Sequence, residues 1–238
     1  MTRSDLEVVF LHGQPGQKED FALVSEWLEP RLRLRCLDRP GWGSNPLGVI
    51  GIEGNAQWVA RQFETRRVLL IGHSLGATIA VRTAQLFPDR VAGLILIAPP
   101  ITQRSLVAID RLLAARFIGQ MTSALIAGVS LGPARRAQFR RTRRSFLAEQ
   151  RHLLGELRLV EGELPLVVCP SVVIVGVRDR VVPLAAMAQA AQHLADAQLE
   201  VLPSAGHDVL RVAPIETAAV VRGMIGRLEA IGREASGG

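Results

Sequence analysis

The sequence predicts a doubly wound α/β fold: a parallel sheet of about six strands with an inserted helical cap. Three observations predict it: short, nearly continuous apolar runs, stretches of helical spacing between them, and one interval too long for an ordinary crossover. The runs are Leu6–Leu11, Leu32–Asp38, Val68–Gly72, Val91–Ala98, Val172–Val177 and Leu199–Leu202. Runs that lack a polar alternate face suit strands buried on both sides, as a parallel sheet demands. Strand and helix in alternation then imply right-handed crossovers.

The helices follow from spacing. Phe21, Val24 and Leu28 mark the first, and Ile52 to Phe63 the second. Leu75 to Phe87, Leu184 to Leu194 and Ile215 to Ile231 give the rest. The fourth and fifth strand runs lie more than seventy residues apart, which exceeds a normal crossover. The reading is therefore a core of residues 1–100 and 166–238, with 101–165 as a helical cap. The tail from Arg233 reads as frayed.

Composition removes several classes of function. With 238 residues, 48% of them hydrophobic and 21% charged, the chain can bury a full core and is too apolar for disorder. Arg3, Asp5 and Glu7 precede any apolar run, so no signal peptide is expected and a cytoplasmic location is. The longest uncharged run, Phe117 to Ala134, holds polar residues, three glycines and a proline, and would make a poor membrane span. Cys36 and Cys169 read as reduced thiols, too few for a metal site. The net charge of +6 belongs to the cap alone, where eleven arginines face five carboxylates. Six arginines fall between Arg135 and Arg144. A solvated helix face is the plain reading of that cluster, and attraction of anionic substrates or lipid headgroups the sharper one. Nucleic acid is not expected, since few aromatics accompany the arginines and the chain has no Tyr.

The decisive segment is Val68 to Thr78, VLLIGHSLGAT. A buried strand ends at Gly72 and a helix starts near Leu75, leaving no loop between them. Such a junction turns sharply, Gly72 and Gly76 removing side chains that would collide, and it pushes Ser74 out at the sheet's C-terminal edge. Ligands bind at that edge in open α/β sheets, and a helix N-terminus there favours negative charge. A serine hydroxyl needs a base, itself oriented by a third group. His207 follows the last strand at the same edge and is the base candidate. Asp179 ends the fifth strand beside it and is the candidate to orient the imidazole. Asp208 is a weaker rival, suited to a loop or capping role. His12 lies at the edge too, His73 reads as pointing away from Ser74, and His152 and His193 as solvated.

With these residues in place, the chain resembles the α/β-hydrolase superfamily, in its serine-nucleophile, capped, esterase-like branch. The resemblance spans nearly the whole chain: His12-Gly13-Gln14-Pro15-Gly16, Asp38-Arg39-Pro40-Gly41-Trp42-Gly43-Ser44, the Gly72 to Gly76 elbow, Gly176 to Pro183, and Ala205 to Asp208. The order Ser, Asp, His is also the family's. A hairpin that usually precedes the first strand is not expected here. The resemblance implies catalysis by Ser74, Asp179 and His207, with the backbone N–H groups of Gln14 and Leu75 as the oxyanion hole. It implies hydrolysis of a carboxylic ester through an acyl-enzyme, with no metal or organic cofactor required. A serine at position 74 argues against the dehalogenase and epoxide hydrolase branches, which need a carboxylate there.

Gly41 and Gly43 make the Asp38 to Asn45 loop read as architecture, with Trp42 a candidate pocket residue. Phe117, Met121 and Leu125 in the cap are further pocket candidates, and would favour a small-molecule ester with an apolar acyl or ring part. A cofactor-free haloperoxidase, a C–C bond hydrolase and a non-catalytic ligand receptor remain open on the same constellation.

Overall fold

The computed structural model describes residues 6–105, 133–151 and 153–235, without the side chains of 133–140. Six parallel strands form one sheet in the order β2-β1-β3-β4-β5-β6. They are β1 (Leu6–Leu11), β2 (Arg33–Leu37), β3 (Arg67–His73), β4 (Val91–Ile97), β5 (Ser171–Gly176) and β6 (Ala197–Leu202). The described helices are α1 (Ala22–Ser25), α2 (Ile52–Gln62), α3 (Leu75–Leu86), α4 (Pro133–Gln150), α5 (Leu153–Gly162), α6 (Leu184–Ala191), α7 (Val209–Val212) and α8 (Pro214–Glu234).

Alternation along each strand divides the core in two. Val9, Leu11, Val68 and Leu70 face one layer with residues of α2, α3, α5 and α6. Val8, Phe10, Leu69 and Ile71 face the other, with α8 and the α1 and α7 turns. The central strands β1, β3, β4 and β5 carry the doubly buried runs expected of a parallel sheet. The edges differ. β2 has no fully buried residue, and β6 exposes Gln198 to Val201, because each has a neighbour on one side only. Burial on both faces was the sequence expectation for all six runs, and at the two edges it is corrected.

The strand order reverses at β1, which has β2 on one side and β3 on the other. Loops leaving β1 and β3 therefore separate around a crevice at the strands' C-terminal ends. Register aligns Leu11 with Gly72, so the residues that follow each are brought side by side. Between β4 and β5 lie α4 and α5. Leu153, Leu157 and Val160 of α5 join the α2–α3 layer of the core. Arg82 of α3 bonds to Glu53 of α2 and to Glu163 just beyond α5, which ties this part of the 101–165 segment to the sheet.

Candidate active site

At the end of β3 the chain turns through Ser74 at φ 51° and ψ −125°, a region that side-chain-bearing residues rarely occupy. The turn is tight enough to exclude β-carbons on both flanks. One added to Gly72 would lie 2.4 Å from the Ala77 backbone, and one on Gly76 2.2 Å from the Leu11 carbonyl oxygen. Ser74 stands at the N-cap of α3 without a side-chain capping bond. Its hydroxyl is directed elsewhere: Oγ lies 3.1 Å from His207 Nε2.

His207 sits in the loop between β6 and α7. Its Nδ1 is 2.9 Å from Asp179 Oδ2, in the loop after β5. The other Asp179 oxygen accepts the backbone N–H groups of Val181 at 2.7 Å and Val182 at 2.9 Å. Burial pushes this carboxyl up, but the His207 bond and charge and the two N–H donors outweigh it and hold it below its ordinary range. Asp208, the weaker rival, turns to the surface and bonds Arg211 Nε at 2.7 Å.

Gly13 follows β1 and presses against the elbow; a β-carbon there would meet that of Ser74 at 2.9 Å. Gln14 comes next and shares with Ser74 and His207 a pocket of about 580 Å³. Leu75 is the first residue of α3, so its N–H is among those that have no carbonyl partner within the helix. Two histidines support this floor. His12 Nδ1 lies 2.8 Å from the Gly13 carbonyl, and its Nε2 accepts the Arg39 N–H at 3.1 Å. Burial, then the Arg39 charge, lowers its pKa to about 3 and keeps it neutral, as that bonding pattern requires. His73 turns to the loop that carries His207. Its Nε2 donates to the His207 carbonyl at 2.9 Å, and the two rings are 5.2 Å apart. Burial, then the His207 charge, lowers the His73 pKa to about 4.

The Asp38 to Asn45 loop is built as the sequence suggested. Asp38 accepts the Lys18 N–H at 2.9 Å and both the N–H and the hydroxyl of Ser44 at 2.8 Å. Gly41 and Gly43 adopt positive φ of 87° and 50°. Trp42 is 3% exposed and packs edge-on to His12. It borders an adjoining cleft with Pro15, Asp20 and Arg141 rather than the pocket that holds Ser74. Phe117, Met121 and Leu125 lie outside the described residues, as do His152 and the side chains of Arg135, Arg136 and Arg140. His193 is exposed in the turn after α6. Sequence reasoning missed the role of Arg39, the fully buried cation within this loop, and its partner Glu149 on α4. A contact across 110 residues leaves no local periodicity to read.

Residues 8–220 match the profile of the alpha/beta hydrolase family. A pimeloyl-[acyl-carrier protein] methyl ester esterase of Klebsiella pneumoniae is 33% identical over 95 residues, which are 40% of this chain and 37% of that protein. One from Sodalis glossinidius is 34% identical over the same shares. The matched stretch is thus well under half of these curated relatives. Among solved structures, an esterase from Thermogutta terrifontis superposes with a TM-score of 0.71 at 22% identity, covering 94% of this chain and 90% of that one. A haloalkane dehalogenase from Bradyrhizobium elkani gives 0.76 at 19% identity, covering 94% and 91%.

Proposed function

This chain belongs to the alpha/beta hydrolase family, and on that premise we propose that it is a serine hydrolase that cleaves carboxylic esters through an acyl-enzyme. One observation carries the proposal: the relay from Ser74 Oγ to His207 Nε2 at 3.1 Å, and from His207 Nδ1 to Asp179 at 2.9 Å. In it, His207 takes the Ser74 proton as Oγ attacks the ester carbonyl. Asp179 holds the imidazole in the Nδ1–H tautomer and stabilises the imidazolium that forms. The oxyanion is met by the N–H groups of Gln14 and Leu75, a reading supported by the close packing of Gly13, the residue before Gln14, against Ser74. The alcohol leaves with the proton from His207, and water repeats the sequence in reverse to release the acid. The curated relatives are named for a methyl ester, which agrees with an alcohol leaving group.

Residues 101–165 act in this reading as a cap over the crevice, rooted through α5. The pocket beside Ser74 also bears on substrate charge. Among the described residues Glu19, Asp20 and Asp208 line it, and the one arginine there, Arg211, is paired with Asp208. Like charges brought together are disfavoured. An uncharged acyl chain is therefore the preferred substrate, and p-nitrophenyl butyrate should be turned over faster than the corresponding hemisuccinate.

The direct test is a fluorophosphonate probe followed by peptide mapping. Label is expected on Ser74 in the wild-type protein and none on a folded Ser74→Ala variant, which should also lose ester turnover. A wild-type protein that stays unlabelled and inert toward p-nitrophenyl esters overturns the proposal in favour of ligand binding without turnover.

A further inference from the structure

We infer that Arg39 is a positioning residue for the oxyanion hole, clamped in place by Glu149 of α4. The inference rests on Gln14 N–H serving as an oxyanion donor. Arg39 is fully buried, and its guanidinium is spent on two carbonyls and one carboxylate. Nε donates to the His12 carbonyl at 3.0 Å, and Nη2 to the Gly13 carbonyl at 2.9 Å. Nη1 meets Glu149 Oε1 at 2.5 Å, with Nη2 3.5 Å from Oε2. Its own backbone N–H fixes the His12 ring, whose Nδ1 donates to the same Gly13 carbonyl.

The geometry of the peptide unit turns this into a statement about chemistry. The Gly13 carbonyl and the Gln14 N–H are opposite edges of one planar trans amide. Two donors, Arg39 Nη2 and His12 Nδ1–H, fix the carbonyl edge, so the N–H edge, which points the opposite way, is fixed with it. A cationic donor on the carbonyl also polarises the amide and makes its N–H a stronger donor.

Glu149 enters from the segment between β4 and β5, and it does not act alone. Arg141, Ser145 and Glu149 are spaced four apart on α4 and so share one face. Arg141 Nη2 donates to the Asn45 carbonyl at 3.0 Å, and Ser145 Oγ to the Gly41 carbonyl at 2.6 Å. The stripe seats α4 along the Arg39 to Asn45 loop, with the Glu149 carboxylate closing on the guanidinium. The inserted segment is thereby linked mechanically to the peptide that receives the oxyanion.

The test uses two variants that keep the buried site electrically balanced. In Arg39→Met combined with Glu149→Leu, both charges are removed together, an exchange that is often neutral for stability. In Arg39→Lys the charge opposite Glu149 remains, but an ammonium cannot reproduce the planar fork. It carries the test if the double variant fails to fold. Both are compared with wild type for p-nitrophenyl butyrate kinetics, inhibition by a trifluoromethyl ketone, and thermal melting. Losing one oxyanion donor outright costs about 10²–10³ in rate, so misaiming it should lower kcat by about tenfold or more. KM should stay within about twofold, and the ketone should weaken by the same factor as kcat, because the donor acts chiefly on the transition state. A folded variant that keeps more than a tenth of wild-type kcat, or whose loss lies wholly in KM, overturns this inference alone. A wild-type protein inert to ester and fluorophosphonate overturns the hydrolase reading, and this inference with it.

Discussion

Asp179 distributes its two oxygens between different tasks, and that division makes a sharp prediction. Oδ1 accepts two backbone N–H groups, which fix the carboxylate, and Oδ2 accepts from His207 Nδ1. In Asp179→Asn, the amide oxygen can keep both backbone bonds, so the side chain stays in place with its NH₂ facing Nδ1. The imidazole must then put its proton on Nε2, where it can no longer accept from Ser74. We expect kcat for a p-nitrophenyl ester to fall by about 10⁴, with the melting temperature little changed. Retention of activity within about tenfold of wild type would remove Asp179 from the mechanism. Ser74 itself illustrates why the residue scale matters: a positive-φ serine that declines its capping bond is held in strain by its neighbours, and its hydroxyl is free to meet the imidazole.

At the scale of elements, close backbone approach separates one glycine from another. A β-carbon at Gly76 would sit 2.2 Å from the Leu11 carbonyl and 2.5 Å from that of His12, where only backbone could yield. Gly76→Ala should therefore cost about 3 kcal/mol or more in urea unfolding, forcing α3 away from β1. Gly223 lies inside α8, and a β-carbon there would meet nothing within 4 Å. Gly223→Ala should instead stabilise the protein by about 0.5–1 kcal/mol, and a destabilisation would show that the α8 face is not open. The contrast also explains what was legible in the sequence. Apolar runs and glycine-flanked junctions are local signals, so β1 to β6, the elbow, and the order Ser74, Asp179, His207 could be read directly. The exposure of β2 and β6 was not legible, because edge position depends on strand order and not on the strand's own residues. The Arg39–Glu149 contact was hidden for a related reason: Arg39 lies in a loop whose glycines already accounted for its shape, and its partner comes from a distant helix. The short α1 and the extra turn α7 depend likewise on how the loops fold back over the sheet.

Across the whole molecule, buried histidines make the fold sensitive to acid. In the unfolded chain His12 and His73 take up protons near the ordinary value of 6.5, whereas in the fold they do so only at about 3 and about 4. Between those limits the unfolded state binds more protons, so stability rises with pH there and is lost as pH falls. Each histidine contributes at most about 1.4 kcal/mol per pH unit in its window, and the window of His12, reaching down to about 3, is wider than that of His73, which ends at about 4. The carboxyls add to this lower down. Asp179 and Asp38 are held below their ordinary range despite burial, because His207 and backbone donors, and in Asp38 those of Ser44 and Lys18, stabilise the charged forms. The stability they contribute above the ordinary carboxylate range is lost as pH drops through their lowered values. The urea midpoint should thus decline steadily from about pH 6.5 downward and steepen below about pH 4. His73→Gln, whose amide can still donate to the His207 carbonyl, should flatten the upper part of that decline without abolishing it, since His12 remains. A wild-type midpoint constant between pH 7.5 and 5 would mean that both rings are free to accept protons in the fold. It would also break the account of His12 as a neutral ring that accepts from Arg39 while donating to Gly13, and with it the support beneath the Gly13–Gln14 peptide.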